Sequence, residues 1–186
     1  VPQSRWHAGN GALMRMAPVA LATVGDEERL KRWAVAQAHM THNHPLSDAA
    51  CLAVGRMTHG GMLGQPKSVL QAIADKLVDR HPEIRYRPYC GNASGYVADT
   101  LSTVFHHFFT TNTFEQCLVG VVNQGGDTDT NGCVAGMIAG AFYGETSLPA
   151  RWLKKLHGPT KEEVSALVNP LITLGMIVSG RLDEGG

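Results

Sequence analysis

The feature that most constrains this chain is Gln124–Gly132, Gln-Gly-Gly-Asp-Thr-Asp-Thr-Asn-Gly, together with the small-residue run behind it. Asp127 and Asp129 stand one residue apart, with hydroxyls at Thr128 and Thr130 and glycines on both sides. Directly after comes Cys133-Val-Ala-Gly-Met-Ile-Ala-Gly-Ala-Phe-Tyr-Gly144, a helical pattern whose small side chains allow tight packing. Two acids and two hydroxyls on one turn are hard oxygen donors, the set that suits Mg²⁺, Mn²⁺ or Ca²⁺. Burying two such acids without a counter-charge is costly, so a cation is one natural partner. A solvated turn opening a helix, whose N-terminus favours Asp, accounts for the same residues. The pattern alone leaves both readings open.

Composition narrows the class. The 186 residues are 44% hydrophobic and 17% charged, which describes a globular chain long enough to bury a core. Lys plus Arg is 16 and Asp plus Glu is 16, so there is no basic excess of the kind a nucleic-acid surface shows. Cys51, Cys90, Cys117 and Cys133 form no CxxC pair and no zinc spacing. They are expected to be reduced thiols, most of them in the core, of a cytoplasmic protein. The start, Val1-Pro-Gln-Ser-Arg-Trp, lacks the apolar segment of a signal peptide. The most hydrophobic long stretch, Val164–Val178, is too short to span a bilayer and is read as broken at Asn169-Pro170.

Periodicity predicts helices throughout. Ala12–Thr23 reads as a short or kinked helix because Pro18 falls inside it. Asp26 caps a helix to about His39 with Leu30, Trp33, Ala34 and Ala38 on one face. Pro45 or Ser47 opens a helix expected to stop at Gly60-Gly61. Pro66 opens an amphipathic helix with Val69, Leu70, Ile73, Leu77 and Val78 at helical spacing. A surface loop follows over His81–Asn92, then a buried helix over Val97–Phe109. Thr113-Phe-Glu-Gln116 and Thr160-Lys-Glu-Glu163 are capping boxes, and Gly158 is expected to end a short helix over Ala150–His157. No alternating strand pattern appears. The expected fold is all-α, one domain over residues 1–186, with no internal repeat.

Two chemical readings of the acidic motif fail on the residues. An EF-hand loop beginning at Asp127 needs Glu at its twelfth position, which here is Ile138. An aspartate-nucleophile phosphatase carries its acids at the tip of an apolar strand, whereas Asn123-Gln-Gly-Gly precedes these. The clustered His39, His42 and His44 lack a clear fourth donor for zinc. Gly-Gly-Asp-Thr-Asp-Thr-Asn-Gly with its Ala/Gly helix instead resembles the signature of the ADP-ribosylglycohydrolases. The likeness continues in Gly9-Asn-Gly-Ala-Leu-Met-Arg15, Thr41-His-Asn-His-Pro-Leu-Ser-Asp48 and Gly95-Tyr-Val-Ala-Asp-Thr-Leu101, so it covers most of the chain in order.

The resemblance implies an all-α fold with a central cleft holding two Mn or Mg ions, and hydrolysis of the N-glycosidic bond between ADP-ribose and an arginine side chain. It places Asp127, Asp129 and the Thr130 hydroxyl among the metal ligands, with Asp127 and Asp129 catalytic through them. It places Gly9, Asn10, Gly11, His42, Tyr96, Gly125 and Gly126 at the substrate. Backbone N–H groups of Gly9-Asn10-Gly11 would face a pyrophosphate, although an ordinary N-cap turn accounts for the same triplet. Tyr96 would meet the nucleoside, or be a half-buried core tyrosine. Gly125 and Gly126 would let backbone approach the substrate. Within the family, the His-Asn-His-Pro-Leu-Ser-Asp and Gly-Tyr-Val-Ala-Asp-Thr-Leu segments look closest to members that reactivate the nitrogenase iron protein. That protein is therefore the expected substrate, with a PII-type regulator as a further expected partner. Hydrolysis of another ADP-ribosyl conjugate and a non-catalytic, crystallin-like role are the alternatives. The family also carries a Glu and a Thr-Asp-Asp cluster ahead of its Gly-Asn-Gly segment, and neither is found here. The chain is accordingly expected to be the C-terminal part of a longer enzyme, with outward apolar faces on Ala12–Thr23 and Cys133–Tyr143.

Overall fold

Side-chain caps open three of the helices in the computed structural model, which describes residues 8–178. The helices are α1 (Met16–Ala22), α2 (Glu27–His39), α3 (Pro45–Met62), α4 (Lys67–Arg80), α5 (Val97–Thr110), α6 (Phe114–Val122), α7 (Thr128–Tyr143), α8 (Ala150–Leu153) and α9 (Gly158–Val178). Asp26 Oδ1 accepts the Arg29 N–H at 2.9 Å and opens α2. His44 Nδ1 accepts the Leu46 N–H at 3.1 Å, and Pro45 takes the first position of α3. Thr113 Oγ1 accepts the Gln116 N–H at 3.1 Å, while Gln116 Oε1 reaches back to the Asn112 N–H at 3.2 Å. Each satisfies a donor that the first helical turn leaves without a partner. Among the described residues the only β pairing is an isolated antiparallel bridge between Gly9 and Tyr96.

The centre of the fold is α3, which packs against α1, α2, α4, α5 and α7. It does not stop at Gly60-Gly61; both glycines are buried within it. A Cβ on Gly61 would lie 2.8 Å from Phe142 N and 2.9 Å from Ala141 C, so the backbones of α3 and α7 touch there. A Cβ on Gly55 would lie 2.7 Å from Leu30 Cδ1, which brings α2 equally close. Interior glycine costs a helix about 1 kcal/mol, and close packing of two helices outweighs that. The small-residue helix α7 contributes Val134, Ala135, Ile138 and Ala139 to the core. Around them lie Phe105, Phe108, Leu13, Met16, Leu30, Met57, Leu70 and Leu101, all fully buried.

Several expectations shift. Pro18 is the third residue of α1, where no intrahelical N–H is missed; α1 is short, as expected, but begins at Met16, with a 3-10 turn over Asn10–Ala12 ahead of it. Gly158 opens α9 instead of ending α8, and Thr160 lies inside the first turn, its hydroxyl 3.1 Å from His157 Nδ1. α9 runs unbroken through Pro170. Its anchor is Gly175, where a Cβ would lie 2.8 Å from the Leu21 carbonyl oxygen of α1. Trp33 and Val69, expected on core faces, are exposed, as is Cys90, and only Cys51 and Cys117 of the four thiols are buried. The outward apolar side chains are concentrated on α9, at Val164, Leu167, Leu174 and Met176, rather than on α1 and α7. Residues 1–7 of the expected opening loop lie outside the described residues.

Two polar groups are carried into this interior. The Lys67 ammonium donates to the Thr111 carbonyl at 2.6 Å and the Tyr143 hydroxyl at 2.9 Å, 4.8 Å from the Phe108 ring centre. It ties the start of α4 to the ends of α5 and α7. His59 Nε2 donates to the Ala20 carbonyl at 2.8 Å, and burial lowers its pKa below the usual 6.5.

Gly61→Ala is expected to lower stability by about 1–3 kcal/mol through overpacking. Gly136→Ala, whose Cβ would meet only Leu118 at 3.9 Å, should be neutral or stabilising. Urea denaturation of the two variants compares them directly. His59 also predicts a pH dependence. Its folded pKa is depressed, so its contribution is fully present above the unfolded value of 6.5 and is lost as pH falls below it. Denaturation midpoints should therefore drop between pH 7.5 and 5.5, and less so in His59→Gln.

Candidate active site

Three loops meet at one point because residues 93–97 hold the other two. On one side, the Asn10 N–H donates to the Gly95 carbonyl at 2.9 Å and the Val97 N–H to the Ala8 carbonyl at 2.9 Å. On the other side, the Asp127 N–H donates to the Ala93 carbonyl at 2.8 Å, and Asn131 Nδ2 donates to the same oxygen at 3.0 Å. Gly126 must be glycine for this contact: its φ is +66°, and a Cβ would fall 2.3 Å from the Ala93 oxygen. Gly125, at φ +74°, is exposed with nothing near its missing Cβ, so the turn needs it for conformation alone. The segment carrying Gly9–Gly11, the segment carrying Tyr96 and the acidic turn are thereby fixed side by side.

The side chains complete the junction. Asn10 Nδ2 donates to Asp127 Oδ2 at 2.7 Å and to Thr100 Oγ1 at 2.9 Å. The Asn10 amide is the main reason that the Asp127 carboxyl is held below the ordinary carboxylate range; burial opposes it, and Asp129 and Thr130 assist. Gly95 keeps the space open, since a Cβ there would lie 3.2 Å from Asp127 Oδ2. Asp129 is exposed at the first turn of α7, with Oδ1 accepting the Thr130 N–H at 2.9 Å. Neither acid has an ion pair among the described residues.

His42 closes another side. Its ring lies against Gly9 and Gly11, where a Cβ would meet Nε2 at 2.7 Å and Cε1 at 2.9 Å respectively. Arg15 donates to Thr41 Oγ1 at 2.7 Å, and Thr41 Oγ1 lies 2.7 Å from His42 Nδ1. Thr41 Oγ1 accepts from Arg15 and shares a hydrogen bond with His42 Nδ1 in which either atom can be the donor. Burial first, and the Arg15 charge second, lower the His42 pKa, which keeps the ring neutral.

All ten residues expected at the site lie on these three loops, the His42 loop and the first turn of α7. One expectation is corrected: the Asn10 N–H faces the Gly95 carbonyl and is not available to a pyrophosphate, and its triplet forms a 3-10 turn, not the start of a helix. Three contributors were missed, namely Thr100, the Ala93 carbonyl and Asn131. Asn131 had a readable signal, standing four residues after Asp127 on the same helical face and fully buried. Asp48, for which only capping or a salt bridge is expected, pairs with His39 at 3.0 Å.

The site therefore presents an oxygen-donor turn, a neutral imidazole and a tyrosine at the junction of separate segments of an all-helical fold. The ADP-ribosylglycohydrolase family profile matches residues 2–178, and the chain belongs to that family. It is 48% identical over 173 residues to the ADP-ribosyl-[dinitrogen reductase] glycohydrolase of Rhodospirillum rubrum, covering 93% of this chain and 59% of that protein. It is 30% identical to the ADP-ribosylarginine hydrolase Tri1 of Serratia proteamaculans, over 88% of this chain and 46% of that one. A solved ADP-ribosylglycohydrolase-related protein complex superposes with a TM-score of 0.82 at 32% identity, covering 93% of this chain and 62% of the other. The chain thus spans about half to three-fifths of the length of these relatives.

Burial and the Arg15 charge predict how His42 titrates. Nitrogen NMR should show a midpoint below 6.5. Arg15→Gln should raise that midpoint, and a wild-type ring protonated at neutral pH would contradict this reading.

Proposed function

We propose that this chain carries one side of the catalytic centre of a metal-dependent hydrolase that cleaves the N-glycosidic bond between ADP-ribose and an arginine side chain of a protein. The observation that carries the reading is the convergence of Gly9–Gly11, His42, Tyr96 and Asp127–Thr130 through direct contacts. The chain's relatives that act on ADP-ribosyl dinitrogen reductase and on ADP-ribosylarginine give the substrate class. The nitrogenase iron protein is the proposed target, in the cytoplasm, with a PII-type protein as regulator.

Two Mn or Mg ions are the proposed cofactor. The fit rests on the donor chemistry: Asp127 and Asp129 have no cationic partner among the described residues, and Thr130 adds a hydroxyl on the same turn. Such hard oxygens suit these ions, and three groups on one turn leave coordination positions for further oxygens. When bound, the ions would polarise a water and hold the ribose hydroxyls. Asp127 enters this work already oriented, because Asn10 occupies its Oδ2. Asp129, exposed at the helix start, presents its carboxylate outward. His42 offers a neutral imidazole toward the phosphates or ribose without adding charge. Tyr96, bridged to Gly9, supplies an amphipathic ring for the nucleoside.

The full-length protein, incubated with Mn²⁺ and ADP-ribosyl-arginine, is expected to release ADP-ribose. Asp129→Asn should abolish that release and weaken Mn²⁺ binding by more than the roughly 10–100-fold typical of a group that only supports a ligand. Circular dichroism should remain unchanged. Unaltered Mn²⁺ affinity in Asp129→Asn would remove it from the ligand set.

A further inference from the structure

Beneath the acidic turn a buried hydroxyl is linked to Asp127 through one intervening side chain. Thr100 lies on the first turn of α5 and is fully buried. Its hydroxyl lies 3.3 Å from the Ser94 carbonyl and 2.9 Å from Asn10 Nδ2. Asn10, itself only 7% exposed, directs the same Nδ2 to Asp127 Oδ2 at 2.7 Å. The polarity of this relay is dictated by its ends. The Ser94 carbonyl and the Asp127 carboxylate can only accept. The single Thr100 proton therefore goes to Ser94, and the Thr100 oxygen is left to accept. Both hydrogens of the Asn10 amide are then used, one on Thr100 and one on Asp127. A reversed amide would set its oxygen against the carboxylate, a costly arrangement in a buried site. Ser94 is fixed in turn: its hydroxyl donates to Asp99 at 2.6 Å and accepts the Tyr96 N–H at 3.1 Å.

We propose that Thr100 is a positioning residue that orients the Asp127 carboxylate by locking the Asn10 amide. Pinning Oδ2 leaves the other carboxylate oxygen with a fixed direction for a divalent cation. The inference rests on the reading of Asp127 as a cation ligand. Removing a group bonded directly to a metal ligand, as Asn10 is to Asp127, typically changes metal affinity by about 10–100-fold, and Thr100 acts one hydrogen bond further out. Valine matches threonine in shape without the hydroxyl, and serine keeps the hydroxyl.

The test uses the full-length protein, with Mn²⁺ as the probe. In the wild type without metal, the two Asn10 side-chain protons should exchange slowly in ¹⁵N NMR; rapid exchange overturns the relay without recourse to any variant. Thr100→Val should shift those signals, speed their exchange and weaken Mn²⁺ binding by up to about 10-fold, the lower end of the effect of a directly bonded group. Turnover of ADP-ribosyl-arginine should fall more than KM rises. Thr100→Ser should restore all of these properties. Should valine prevent folding, Thr100→Ala gives the same comparison. Undisturbed Asn10 signals in the folded hydroxyl-less variant overturn the inference. So does intact Mn²⁺ affinity in that variant when Asp127→Asn loses it. Full Mn²⁺ affinity in Asp127→Asn itself would sink the ligand reading and the inference with it, and normal slow exchange at Asn10 would mark that failure as distinct from a broken relay.

Discussion

The hydrogen bond from the Asn10 amide to Asp127 joins residues 117 positions apart and holds the candidate site together. It links the turn before α1 to the acidic turn before α7. Both are tied to the 93–97 segment, whose carbonyls at Ala93 and Gly95 accept their backbone N–H groups. Backbone polar groups in a loop must find partners somewhere. Here they find them in each other, and three loops that no helix would bring into register become one rigid junction. A carboxylate held by a neutral amide keeps its full charge, which is what a site for a hard cation requires.

That junction depends on helix packing elsewhere. The acidic turn is positioned by α7, and α7 is positioned by its backbone contact with α3 at Gly61. Small residues at this crossing bring the helices together without a layer of side chains between them. The aromatic cluster of Phe105, Phe108, Phe109, Phe142 and Tyr143, together with the Lys67 clamp, fixes the far ends of the same helices. The site thus sits on helix starts whose opposite ends are anchored.

Charge is distributed in a way that fits an anionic substrate held by a cation. The acids at the mouth have no cationic side chain among the described residues to neutralise them. The nearby imidazole of His42 is kept neutral by burial and by Arg15.

The sequence by itself determined the all-helical class and most helix starts, and it nominated the residues of the candidate site. These are local: a capping side chain reaches two or three residues along the chain, and Gly-Gly-Asp-Thr-Asp-Thr-Asn-Gly carries its turn, its donors and its helix start in one stretch. The same local signals misread Gly60-Gly61 as a stop and Gly158 as an end. A glycine that ends a helix and one that admits a neighbour look identical until the neighbour is in place. Only the tertiary structure decided that Thr100, Ala93 and Asn131 belong to the site, since their partners are distant in sequence and their burial follows from packing. It also decided that the Asn10 N–H is spent on Gly95, because a backbone donor's partner is chosen by which loop arrives beside it.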